Sequence, residues 1–124
     1  MIPTDWTPHR RESDGELVGY LVPASGATEG YRFVPVTLFG YPLGPAGDEH
    51  DGIAVLEAEG LACLAEHWWL MPDGPSGSSE PIRVRIYETT PDQVSVLVDD
   101  FGAGGNLGTR VELPVPESGR LSRV

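Results

Sequence analysis

The sequence contains no lysine; all eight of its basic residues are arginine. That absence excludes whole chemistries. A Walker-type phosphate loop needs its lysine to reach the phosphates. A lysine Schiff base is impossible, so pyridoxal-phosphate and aldolase-type mechanisms are excluded as well. Positive charge is scarce altogether: 8 basic residues against 19 acidic ones give a net charge of −11. Nucleic-acid binding requires a basic footprint that neutralises phosphates. Here six of the eight arginines fall in scattered pairs, Arg10 with Arg11, Arg83 with Arg85 and Arg120 with Arg123. Neither nucleic acid nor an anionic membrane is an expected partner.

There is one cysteine, Cys63, so no internal disulfide can form. No stretch approaches the roughly 18 uninterrupted apolar residues of a membrane-spanning helix. The first residues, Met-Ile-Pro-Thr-Asp-Trp, show no basic-then-apolar leader. A cytoplasmic protein is the simplest expectation. Zinc-type spacing, a nucleotide loop and a Ser/His/Asp pattern are all lacking, so no cofactor is expected.

What is present points to β structure. The 124 residues suit one domain, 1–124, with an N-terminal arm at 1–15 and a polar tail at 116–124. Sixteen glycines and twelve prolines suit short strands joined by turns. The clearest signal lies at 81–99. Ile82, Val84 and Ile86 alternate with Arg83, Arg85 and Tyr87; Val94, Val96 and Val98 alternate with Ser95, Leu97 and Asp99. Period-two alternation of β-branched residues marks half-buried strands. Thr89-Thr90-Pro91-Asp92 between them supplies turn chemistry. For both triplets to face one core, Ile86 must lie opposite Val96. An odd loop is then required, and a five-residue loop, 89–93, avoids placing Thr90 in the αR region before Pro91. The same register sets Arg83 opposite Asp99 on the outer face.

Elsewhere the run 17–22 and the run 31–39 predict a second hairpin with apolar residues on both faces. Pro35 makes the second run an edge strand or a bulge. Trp6 in the arm is expected to plug into the core. Asp48-Glu49-His50-Asp51 reads as a helix N-terminus, and one short helix is placed at 49–59 with Gly60 as its C′ residue. A strand is placed at about 62–70 because Trp68-Trp69-Leu70 favours extended chain. Loops are expected at 73–80 and 101–108, and a last strand at 109–115 with Val111, Leu113 and Val115 facing in. The fold class is therefore mainly β (α+β), a small, strongly bent antiparallel sheet or partly open barrel of about six strands. From Trp68 onward the pattern would suit an SH3-like barrel, an analogy that carries no function.

Candidate sites are few. Asp48, His50 and Asp51 offer oxygen and nitrogen ligands for a divalent metal, but EF-hand spacing is missing and a solvated helix start explains them too. Cys63 and His67 would form a nucleophile and base only if 61–67 were helical. The loop 102–108 fails the Gly-x-Gly-x-x-Gly pattern at Leu107. Trp68 and Trp69 are adjacent, so on a strand one ring faces in and one faces out. An outward tryptophan beside Arg85 and Tyr87 would make an aromatic, cationic patch, the kind of anchor that protein interfaces favour. The expected function is a non-enzymatic protein-interaction module using that sheet surface, its partner another protein or a second copy of the chain. The alternative is a small-molecule or metal-binding enzyme using His50, His67 and nearby carboxylates.

Overall fold

The computed structural model describes residues 1–24, 32–71, 80–99, 108–117 and 119–123. In chain order the elements are β1 (Thr7–Arg10), β2 (Leu17–Pro23), β3 (Phe33–Val36), α1 (Glu49–Glu59), a 3-10 turn (Ala62–Ala65), β4 (His67–Leu70), β5 (Ile82–Thr89), β6 (Gln93–Val98), β7 (Arg110–Pro114) and β8 (Leu121–Arg123). They build two antiparallel sheets, one ordered β1-β2-β3 and one ordered β7-β6-β5-β4-β8. Among the described residues no pairing joins β7 to β8, so the larger sheet stays open. No described helix is long and apolar enough to cross a membrane.

The helix occupies the predicted span because its start is chemically marked. The Asp48 carboxylate caps it, accepting the Asp51 amide at 2.7 Å. Its other end differs from the expectation. Gly60 is right-handed (φ −56°, ψ −41°), not the left-handed C′ residue of a Schellman motif. Glycine is needed there for space. A Cβ would lie 2.1 Å from the Val18 carbonyl oxygen and 2.6 Å from that of Leu56. Gly19 and Gly52 allow the same close approach, since their Cβ atoms would lie 2.7 Å from Leu56 Cδ2 and 2.5 Å from Leu21 Cδ2. Three glycines thus let α1 sit on one face of the small sheet, where Val18, Leu21 and Leu56 form a buried cluster. Trp6 packs near the opposite face, its ring 5.9 Å from that of Tyr20. β2 thus has other parts of the chain against both of its faces. Pro35 lies on an edge strand of the ladder, and its carbonyl accepts the Leu43 amide of the segment running beside it.

The larger sheet buries its inner face. Trp68, Val84, Val94, Val96, Leu113 and Leu121 point there, and Phe39 and Tyr41 from the 37–41 turn close over Trp68 edge-on at 5.2 and 4.8 Å. Register near the strand centres is as expected: Ile86 faces Val96 and Val84 faces Val98. Closer to the turn it changes. A β-bulge at Tyr87 sets Glu88 opposite Ser95 and Thr89 opposite Val94, so the five-residue loop is corrected to a shorter turn. The Thr90 amide donates to the Gln93 carbonyl at 2.8 Å, and the Thr90 hydroxyl accepts the Gln93 amide at 3.1 Å. The extra residue turns Thr89 inward and leaves Tyr87 and Glu88 both exposed.

Two strands escaped the sequence reading. The arm contains β1, and the polar tail contains β8, whose Leu121 is buried beside Leu70. Arg123 of β8 ties the sheet to α1 and beyond, donating to Glu59 at 3.1 Å and to both oxygens of Glu66 at 2.9 and 3.1 Å. The strand placed at about 62–70 begins only at His67. Residues 62–65 form a 3-10 turn, stitched by the Trp68 indole N–H donating to the Cys63 carbonyl at 2.9 Å. Of the loops expected at 73–80 and 101–108, all but residues 80 and 108 lie outside the described residues.

Candidate functional site

Strand pairing places side chains of one parity on the same face, and the inner face is filled. The outer face of the larger sheet therefore carries the alternate set in rows. One row runs Ser122, Trp69, Arg83, Asp99. The next runs His67, Arg85, Leu97, Arg110, and a third runs Glu88, Ser95, Glu112. Tyr87, in the bulge, stands between the second and third rows.

Asp99 organises the centre. Its Oδ2 lies 2.8 Å from His67 Nε2 and 3.5 Å from Arg85 Nε, while its backbone carbonyl accepts from Arg83 Nε at 2.8 Å. The expected Arg83–Asp99 pairing is present, but it runs through the Asp99 backbone, leaving the carboxylate for His67 and Arg85. Next to this cluster the Arg110 guanidinium stacks over Tyr87, 4.9 Å from the ring centre, within cation–π range. Tyr87 is 56% exposed and the Arg85 side chain 60%. An open hollow of about 190 Å³ lies beside them, lined by Leu64, Ala65, Arg85, Ile86, Tyr87 and Leu97.

The residues singled out from the sequence separate clearly. Trp69, Arg85 and Tyr87 share the outer face. Trp68 does not: it is fully buried, with Phe39 and Tyr41 against its ring, because alternation turns it to the core. Asp48, His50 and Asp51 lie at the start of α1, on the other sheet's side of the molecule. Asp48 is engaged as the helix cap, and among the described residues no group of three or more His, Cys, Asp or Glu side chains is placed to hold a metal ion. The histidines are dispersed: His9 faces Glu57 at 3.4 Å, His50 is exposed at the helix start, and His67 faces Asp99. Sequence reasoning missed the stacking of Arg110 over Tyr87 and the His67–Asp99 contact. No local signal announces either, since each depends on the register of separate strands.

Cys63 is no partner for His67. Its thiol is fully buried and donates to the Gly60 carbonyl at 3.3 Å, and burial pushes its pKa up to about 11. Thiolate is the reactive form. Labelling by a thiol reagent at neutral pH is therefore expected to be very slow in the native protein and rapid after unfolding in denaturant. Fast labelling of the native chain would contradict this burial.

Comparisons with protein-family models, with curated proteins and with solved structures gave no match.

Proposed function

We propose that the chain is a non-enzymatic protein-interaction module of the cytoplasm that binds through the outer face of its five-stranded sheet. One observation carries the reading. On a chain of net charge −11, His67, Arg83, Arg85 and Arg110 gather on one face with Trp69 and the exposed Tyr87. Exposed ion pairs contribute only about 0–1 kcal/mol to stability. The fold therefore gains little from this arrangement, whereas aromatic and arginine side chains are the ones that anchor interfaces. The SH3-like reading of the chain from Trp68 onward draws on the strand order: a four-strand meander, β4 to β7, whose fifth strand returns to the first.

Amide line-broadening of isotope-labelled protein in native cell extract tests the reading. Selective broadening at 67–69, 83–88 and 95–97, with α1 and β2 unchanged, is the expected result. Broadening confined to α1 and the smaller sheet would remove the proposed surface.

A second reading, an enzyme that uses His67 as a base, draws on the 2.8 Å contact to Asp99, since a carboxylate can orient an imidazole for proton transfer. A thermal melt across metals, nucleotides and common metabolites separates the two. A ligand at a hundredfold excess over its Kd adds about 2.7 kcal/mol, and a shift that His67→Gln abolishes would favour the enzyme.

A further inference from the structure

We propose that β7 pairs edge to edge with the β7 of a second copy of the chain, antiparallel and centred on Val111, so that two five-stranded sheets join into one. The inference goes beyond the reading above, which concerns the face of the sheet and not its edge. β7 is an end strand of the larger sheet. Alternation along the ladder decides which of its backbone groups are free. The Val98 amide donates to the Thr109 carbonyl at 2.9 Å, and the Val115 amide donates to the Asp92 carbonyl at 3.0 Å. Odd-numbered residues of β7 therefore turn their N–H and C=O groups toward β6, whereas Arg110 and Glu112 turn theirs away. Among the described residues no donor or acceptor meets those outward groups. An edge of this kind is a template for another strand.

Charge and proline select one register. With Val111 opposite its own copy, Arg110 faces the second copy's Glu112, and each backbone donates to and accepts from the other. Centring the pair on Arg110 or on Glu112 would set like charges directly opposite, which is destabilising. Centring it on Leu113 would set Glu112 against Pro114, which has no N–H to give. Val111 is half-buried, on the same face as the buried Leu113. A copy of itself at a non-hydrogen-bonded position, where facing residues come closest, would cover its open side. Arg110 leans over Tyr87 and lies 3.5 Å from its own Glu112. The two side chains are still 44% and 52% exposed, so each keeps an open side for an opposite charge. The net charge of −11 on each copy opposes association, and a strand of five residues buries little surface, so the dimer is weak and concentration-dependent. The two-fold axis of such a pair runs perpendicular to the sheet. Both outer faces then lie on the same side, and a partner meets the Tyr87 surface twice.

Sedimentation equilibrium of the full chain, from about 10 µM to about 1 mM in roughly 150 mM salt, tests the pairing. The expected result is a monomer that passes to a dimer within that range. Arg110→Glu and Glu112→Arg each set like charges opposite one another and are expected to weaken association about tenfold or more. Mixing those two variants restores the dimer, since one edge then carries only carboxylates and the other only guanidiniums. The double exchange Arg110→Glu/Glu112→Arg dimerises like the wild type. Both positions are exposed, and matching melts show that the variants are folded. A monomer throughout the range, a dimer of equal strength in every variant, or single variants that do not recover on mixing would each overturn the pairing. So would a chain that is monomeric alone yet loses its 110 and 112 amide signals in cell extract, because the edge would then belong to another protein. Each outcome is independent of the outer face, whose own test needs a partner from the extract.

Discussion

Trp68→Ala is expected to cost about 3–5 kcal/mol, whereas Trp69→Ala, one residue along and only half-buried, is expected to cost clearly less, about 1–2 kcal/mol. The contrast follows from the two faces of β4. Trp68 is fully buried between Phe39, Tyr41 and the inner side of the sheet, and its truncation leaves a large cavity. Its indole N–H also donates to the Cys63 carbonyl at 2.9 Å. That carbonyl keeps a second donor, the Glu66 amide at 3.3 Å. Loss of the indole bond therefore adds only about 1 kcal/mol, and cavity formation dominates. Native domains are stable by about 5–15 kcal/mol, so Trp68→Ala removes a large share of the total. Denaturant melts followed by far-UV circular dichroism check both variants. Equal losses at the two positions would mean that the alternation of β4 is wrongly assigned.

Gly60→Ala carries the second large effect, and here two physical terms predict opposite signs. In a solvated helix Ala is better than Gly by about 1 kcal/mol. Gly60 has right-handed helical angles, so propensity alone predicts stabilisation. Packing predicts the reverse. The new methyl would sit 2.1 Å from the Val18 carbonyl oxygen and 2.6 Å from that of Leu56, both backbone atoms. Neither can swing aside as a side chain can. The end of α1 must lift from β2, with loss of about 3 kcal/mol or more through strain and lost packing of Leu56. A rise in melting temperature on Gly60→Ala would show that α1 is not seated on the small sheet at this distance.

Much of the fold was legible in the sequence because its elements carry local chemical marks. Asp48 caps α1, and the β-branched triplets of β5 and β6 declare their inner faces. The elements that were missed lack such marks. Thr7-Pro8-His9-Arg10 has no apolar alternation, and Leu121-Ser122-Arg123 offers one apolar residue. Both are edge strands, held by backbone hydrogen bonds to a single neighbour. The bulge at Tyr87 was illegible for another reason. An unbroken alternation would have placed Glu88 inward beside Val94, and an extra residue that spares a carboxylate from burial reads in sequence as ordinary strand.

The candidate site divides in the same way. Trp69, Arg85 and Tyr87 share a face by simple parity, so sequence could assemble them once β4 and β5 were placed. Trp68 and Trp69 could not be told apart without knowing which side of β4 is covered. His67 and Asp99 are 32 residues apart, and only the combined registers of β4 with β5 and β5 with β6 bring them to 2.8 Å. Arg110 and Tyr87 lie two strands apart, so their stacking too depends on the combined registers of β5, β6 and β7.

The central claim is that the outer face of the larger sheet is a protein-binding surface. Its most direct measurement compares the proteins retained from native cell extract by the immobilised wild-type chain with those retained by Trp69→Ala/Tyr87→Ala. Neither substitution touches the buried core, so matching melts should show both proteins folded. The account predicts a protein held by the wild type and lost from the double variant. Retention of the same proteins, in the same amounts, by both would contradict it.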